Sequence, residues 1–540
     1  MTMRLWFLPC MLLVSVSTLR AQSLHERIDQ MIESTPGFGN IAAPMSSDAE
    51  FLRRVYLDLT GSIPPFEVAQ QFLADKSPNK RQTLIDRLLR SPEYARRMQQ
   101  FFDVMLMERR PTKRVPEADF QEYLRQSFAD NKPWDQLVRE ILSADGDDPK
   151  LRPASRFMLD RDAEPNQLTR DISRLFLGMN LHCAQCHDHP VVRSYKQEDY
   201  YGIYAFLSRT FIFTDKKRKN LAVLAEKAEG DVTFVSVFDP TKTQKTTMPR
   251  MPGLPPIKVP NFKKGEEYQV KPAKGVRPVP KFSWRAQLAK EITSPENVRF
   301  RRNIANRLWQ MMMGRGLVDP VDFDHPDNPP SHPDLLALLA DEFASHRYDI
   351  RWFVRELALT RTYQRSSMLS AGATEVPPDR FAVANLKPLS PEQLAQSMME
   401  ATGSTANIRR ALGSKLTEQA LYARLKPAIA QFVRTFGAQP GEPEGDDFEV
   451  TIDQTLFITN GPLIRSWLKP SGENLLARLE KVEDAKQIAA ILFLSIFTRQ
   501  PSDEETKDVA DYLRGRTDRT QALQEIAWAL LASNEFRFNH

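Results

Sequence analysis

Ten consecutive residues, Leu181 to Pro190 in the order LHCAQCHDHP, hold three of the chain's eight histidines and two of its three cysteines. Cys183 and Cys186 stand three positions apart with an imidazole directly after them at His187, which is the Cys-x-x-Cys-His pattern that attaches a c-type haem. In that chemistry each thiol forms a thioether to a haem vinyl group, and the following imidazole becomes the proximal axial ligand of the iron. The same side chains admit two other readings. A structural Zn site could use Cys183, Cys186, His187 and His189, although the two histidines lie closer together than zinc-finger spacing. An exported cysteine pair could also close a plain disulfide or a redox-active one, although the helices around it lack the βαβ context of a thioredoxin fold.

Further ligands are fewer. His189 is suited to hydrogen bonding beside a cofactor rather than to the opposite haem face, and His182 reads as exposed. His325 in FDHPD and His332 in DNPPSHPDLL lie far along the chain. Either could reach the motif across a domain interface, while a turn or helix-start histidine beside Pro is the plainer reading of both. Met311, Met312 and Met313 could offer a thioether, yet Met at helical spacing is more often core. The chain has no Gly-rich phosphate loop, no Gly-x-Ser-x-Gly elbow and no His-Glu-x-x-His.

The elements that must position these residues read as helices. SDAEFLRRVYLDLTG opens with a capping box, Ser47 and Glu50, places Phe51, Leu52, Val55 and Leu59 on one face, and ends at Gly61. NQLTRDISRLFLGMN supplies an apolar face of Leu168, Ile172, Leu175 and Phe176 just ahead of the motif. TFIFT, NLAVLA and DVTFVSVF then read as short strands, the last with period-2 alternation. Nine prolines fall between Pro240 and Pro280 among many lysines, which describes an extended linker or a draped loop. In TSPENVRFRRNIANRLWQMMMGRG, Ser294 reads as cap, Phe300, Ile304 and Leu308 as the buried face, and Gly314 as stop.

The expected architecture is mainly α, with two helical domains, a small β-strand insertion and a Pro-rich linker between them. The segments are a signal peptide over 1–21, an N-terminal helical domain over 22–209, the insertion and linker over 210–281, and a C-terminal helical domain over 282–540. The stretch beginning LDLTGSIPPFEV also echoes LSIFTRQPSDEE near the end; either two amphipathic helix pairs look alike, or one helical unit occurs in two copies.

Arg4, an apolar run from Leu5 to about Val16 and a small-residue site at Ala21 have the layout of a secretory signal, so export to the periplasm or cell surface is expected, without a transmembrane anchor. Cys10 would leave with that signal. Composition, 41% hydrophobic and 26% charged, is that of a folded globular protein. Lys and Arg are interleaved with acids along most of the chain, so nucleic acid is not an expected partner. A redox partner protein such as another cytochrome is, and the basic Pro-rich segment would suit an acidic cell-surface polymer. Whether the protein is an enzyme stays open, because a haem peroxidase would need an open sixth site.

FLRRVYLDLTGSIPP, LFLGMNLHCAQCHDHP and QEDYYGIYAFLSR, followed by RRNIANRLWQMMMGRGLVDPVD, NPPSHPDLLALLADEF and QTLFITNGP, resemble the planctomycete cytochrome c-associated two-domain family, domains of unknown function 1549 and 1553. The resemblance maps the family's Cys-Ala-Gln-Cys-His-x-His-Pro string onto Cys183 to Pro190 and its Asn-Pro-Pro-Ser-His-Pro string onto Asn328 to Pro333. It implies that His332 matters, and His332 is expected near His187 as a distal or supporting residue. Where many relatives have Phe and a later Trp, this chain has Val191, Val192, Arg193, Ser194 and Tyr195. The expectation is an exported haem c protein serving electron transfer, with Cys183 and Cys186 as anchors and His187 as proximal ligand; the alternative is a non-redox surface or binding protein stapled by Zn or a disulfide.

Overall fold

Helix is dictated wherever an apolar stripe recurs at 3.6-residue spacing, and the computed structural model, which describes residues 22–369, 375–443 and 451–540, is mainly α-helical. Residues 1–21, read as a signal peptide, lie outside the described residues. In the Asp48–Thr60 helix, Phe51, Leu52, Val55 and Leu59 are all fully buried. Each such side chain contributes roughly 1.5–3 kcal/mol by leaving water. Ser47 Oγ accepts from Glu50 N at 3.1 Å, but the Glu50 carboxylate turns to Arg54 and Ser367 N instead of closing the box. Gly61, at φ +77°, ends the helix in the left-handed region that favours glycine.

That helix is buried on more than its apolar stripe. Arg53 and Asp58 are 0% and 2% exposed, and Arg53 donates to Ile496 O at 3.1 Å and Phe536 O at 2.9 Å. Two hydrophobic cores meet along it. The first unites the N-terminal helices with those between Trp284 and Ala382; the second gathers Leu57, Ile63 and the helices from Leu394 to Phe536.

The echo noted in the sequence is an echo of structure. Asp48–Thr60 and Ala485–Phe497 each end in a left-handed residue, Gly61 at φ +77° and Thr498 at φ +65°. Phe66–Ala74 and Lys80–Leu89 follow the first, Asp503–Leu513 and Arg519–Ala532 the second. Both series then pass to a serine-capped helix, with Ser91 Oγ accepting from Tyr94 N and Ser533 Oγ from Phe536 N.

Strands are few and pair antiparallel in twos, Thr210–Asp215 with Leu221–Glu226 and Val232–Phe234 with Lys245–Thr247 among them. The alternation of DVTFVSVF ends at Phe234, and Val237 and Phe238 leave the sheet. The helix that carries Phe300 starts at Val298 rather than at Pro295: Asn297 is its cap, accepting from Phe300 N while its amide donates to Ile292 O at 3.0 Å. Phe300, Ile304 and Leu308 are buried and Gly314, at φ +82°, is the stop. No helix among the described residues is long and apolar enough to cross a membrane.

One core carboxylate gives the fold a pH signature. Asp103 has Gln121 Nε2 at 2.9 Å and Arg156 at 3.6 Å, and burial pushes its carboxyl from 3.8 up to about 6. The folded chain therefore holds this proton more tightly than the unfolded chain. The contribution to stability is fully present below about pH 4 and is lost as the pH rises through about 6. Asp103→Asn is predicted to raise the unfolding free energy at neutral pH by up to about 3 kcal/mol, with the gain fading toward acid pH. Urea unfolding at the two pH values measures it, and a gain independent of pH would reject the charge as its source.

Candidate functional site

The motif sits on a single 3₁₀ turn, Cys183–Gln185, that follows the Pro165–Leu177 helix. That helix stops at Gly178 (φ +67°), and the short stretch after it is clamped to the C-terminal half of the chain. Met179 bridges Phe323, Asn180 N donates to Asp322 O at 3.0 Å and Asp324 N to Gly178 O at 2.9 Å. Leu181 and Ala184 are fully buried, so the turn is anchored from beneath while both thiols face out.

A polar scaffold fixes the carbonyls of the turn. Gln185 O accepts from Tyr201 Oη at 3.1 Å and from Gln197 Nε2 at 3.3 Å, and Cys186 O accepts from Val237 N at 3.0 Å. Gln185 Nε2 and Tyr200 Oη both meet Asn166 Oδ1, at 3.2 and 2.9 Å. Tyr201 stacks on Phe234 with ring centroids 4.5 Å apart. Burial raises the Tyr201 hydroxyl's pKa, with Tyr204 and Cys186 adding to it. Although burial opposes it, Gln197 N and Lys196 hold the Asp188 carboxyl below the usual carboxylate range.

Both thiols are free and exposed. His187 Nδ1 lies 2.6 Å from Asp188 O, the geometry of an imidazole N–H donating to its neighbour's carbonyl, and Nε2 makes no hydrogen bond among the described residues. A locked Nδ1 with an available Nε2 is the arrangement of a metal-ligating histidine. The ring of Phe238 lies 4.6 Å from that of His187, centroid to centroid. Phe238, Val237 and Val191 are 73%, 65% and 77% exposed, so large apolar side chains stand uncovered around the motif. Such a surface suits an apolar macrocycle. Among the described residues no three His, Cys, Asp or Glu side chains converge into a set that could hold a metal ion.

His189 shapes the loop behind the turn. Its Nδ1 accepts from Val192 N at 2.9 Å, its backbone N donates to Tyr195 O, and its ring meets the Tyr195 ring edge-on at 5.8 Å. Tyr195 is fully buried and meets His325 at 5.7 Å, ring centroid to ring centroid. Burial, then the charges of His325 and His187, lower the His189 pKa. The histidine that the C-terminal half brings to this loop is thus His325, positioned by Asp324, which Arg302 grips at 3.2 Å through both oxygens. His332 is the residue before the Pro333–Ser345 helix, and its neighbours are Ser331, Phe381, Arg380 and Asp379.

Sequence reasoning had no signal for Phe238, hidden in a string that alternates like a strand, nor for Asn166 and Gln197, which act only through the fold. Comparison with known families finds two matches: PSCyt2, a protein of unknown function (DUF1549), over residues 27–211, and PSD1, a protein of unknown function (DUF1553), over residues 284–513. No curated protein and no solved structure matches the chain.

Proposed function

Since the chain belongs to the two-domain family that joins PSCyt2 to PSD1, neither with an assigned function, we propose that it is an exported c-type haem protein that passes electrons to a redox partner at the cell surface or in the periplasm. The reading rests above all on one observation: two free, exposed thiols on one turn are followed directly by an imidazole whose Nδ1 is occupied by a backbone carbonyl. Cys183 and Cys186 would carry the thioethers and His187 Nε2 would ligate the iron. Haem bound there would supply one-electron chemistry.

The chain's own residues do the rest. The carbonyl of Asp188 fixes the imidazole tautomer and makes Nε2 a better donor. Phe238, Val237 and Val191 would shield the porphyrin edge from water. His189, Tyr195 and His325 tie the motif's loop to the C-terminal half, which lets that half influence the site's electrostatics. Because the thiols are exposed, haem would reach them after folding or before it. Protein produced in a host that matures c-type cytochromes is expected to retain haem through denaturation and to give a pyridine haemochrome of the thioether type, with its mass raised by one haem. A colourless protein of unmodified mass from such a host would reject this reading and leave a metal or disulfide staple.

A further inference from the structure

The basic Pro-rich segment is not a free linker. Met251 is 2% exposed, and Leu254, Ile257 and Val259 pack against the first core. Arg250 N donates to Gly202 O at 3.2 Å, and a Cβ on Gly202 would come within 2.7 Å of the Arg250 side chain, so the strap is seated directly on the Gln197–Leu207 helix. Tyr268 and Val270 pair with Pro280 and Val279 to close its far end.

The two kinds of cation on this strap are used differently. From Pro240 to Lys281 there are ten Lys and Arg against two Glu, in a chain whose formal net charge is +5. The arginines point inward: Arg250 reaches Glu198 at 3.0 Å, and Arg277 pairs with Asp145. Seven lysines, at 242, 245, 258, 263, 264, 271 and 274, are exposed, and none has a carboxylate within ion-pair distance among the described residues. Elsewhere the surface lysines Lys113 and Lys196 do find acids. Glu267, one of the strap's two acids, spends its carboxylate on Gly265 N at 2.7 Å. Lys258 thus stands between Ile257 and Val259 on the core-packed part of the strap, Lys263, Lys264, Lys271 and Lys274 lie on the exposed stretch that the Tyr268–Val270 and Val279–Pro280 pairing ties back, and Lys245 acts on a carboxylate, that of Asp188, from beyond ion-pair distance.

We infer that this strap is a binding surface for a linear anionic polysaccharide. Charge of one sign on a pre-ordered segment lowers the ordering cost of binding a long polyanion. The choice of lysine favours charge density over the forked recognition that arginine gives to phosphate. Nucleic acid would also call for exposed aromatic platforms. The strap's Phe262 and Tyr268 are half-buried, with Lys281 over the Phe262 ring at 5.8 Å and the Tyr268 hydroxyl bonded to Glu229. This inference is independent of the haem reading.

The test uses the full chain, with polygalacturonate, dextran sulfate, neutral dextran and single-stranded DNA as probes in binding titrations over a range of salt. Binding to both anionic polysaccharides, weakening as salt rises, is expected, with neutral dextran not bound. A preference between the two tells whether carboxylate or sulfate is the recognised group. Lys263→Gln combined with Lys264→Gln should weaken binding at low salt by about fivefold per lysine. The two side chains are exposed, so the fold should be unaffected. Equal binding of neutral dextran, an unchanged affinity in the double variant, or tighter binding of DNA than of either polysaccharide would overturn the inference.

Discussion

Asp58→Ala is expected to destabilise the protein by about 3–5 kcal/mol, the cost of breaking a buried charge pair from one side. Asp58 is 2% exposed and accepts from Lys387 Nζ at 2.6 Å, Asn539 Nδ2 at 2.8 Å and Tyr363 Oη at 2.8 Å. Four stretches of chain far apart in sequence are thereby tied at one carboxylate. Burial lowers the Lys387 pKa, and the Asp58 charge works against that shift. Without Asp58 the ammonium would keep only the carbonyls of Met311 and Met312, at 3.1 and 2.9 Å. Replacing both partners, Asp58→Leu with Lys387→Met, should cost less than Asp58→Ala alone, because no orphaned charge remains. Urea unfolding of the three proteins decides it. A loss below about 1 kcal/mol for Asp58→Ala would show that the network adds nothing beyond an exposed pair.

Local patterns carried the helices because their causes are local. Phe300, Ile304 and Leu308 face one way for geometric reasons, and Gly61 and Gly314 stop helices because their backbones turn left-handed. The start at Asn297 was not legible, since Ser294 with Pro295 satisfies the same local rule. The choice is made by the Asn297 amide reaching back to Ile292 O, a contact between the ends of two helices. Segment texture likewise separates helical stretches from strands without telling which stretches share a core. Leu57 joins the second core and Leu59 the first, although both sit on one helix.

At the site the covalent pattern was legible and its surroundings were not. Spacing alone put two thiols and an imidazole on one turn, because three residues cannot lie far apart. The contact of His325 with this loop depends on how the 321–328 loop pairs with residues 178–180: the backbone bonds between Asn180, Asp322, Asp324 and Gly178 bring His325 to Tyr195. His332, on its proline-flanked string, has the ring of Phe381 at 5.8 Å.

On the proposed haem reading, Cys183→Ser and Cys186→Ser are each predicted to abolish two-point haem attachment, the largest functional effect that reading entails. The turn that carries them is fixed by Tyr201, Gln197 and Val237 through backbone carbonyls, none of which depends on a thiol. Each variant should therefore fold, and far-UV circular dichroism should match the parent. One remaining thiol can hold haem by a single thioether, so each variant should give a haemochrome between the two-thioether and the free-haem forms, with much reduced yield. The double variant should lose covalent haem completely. His187→Ala separates attachment from ligation: both thioethers could still form, while the Soret region would report loss of the Nε2 ligand. If the two single variants kept both the mass and the spectrum of the parent, neither thiol would be an anchor, and the haem and metal readings of this motif would fall together.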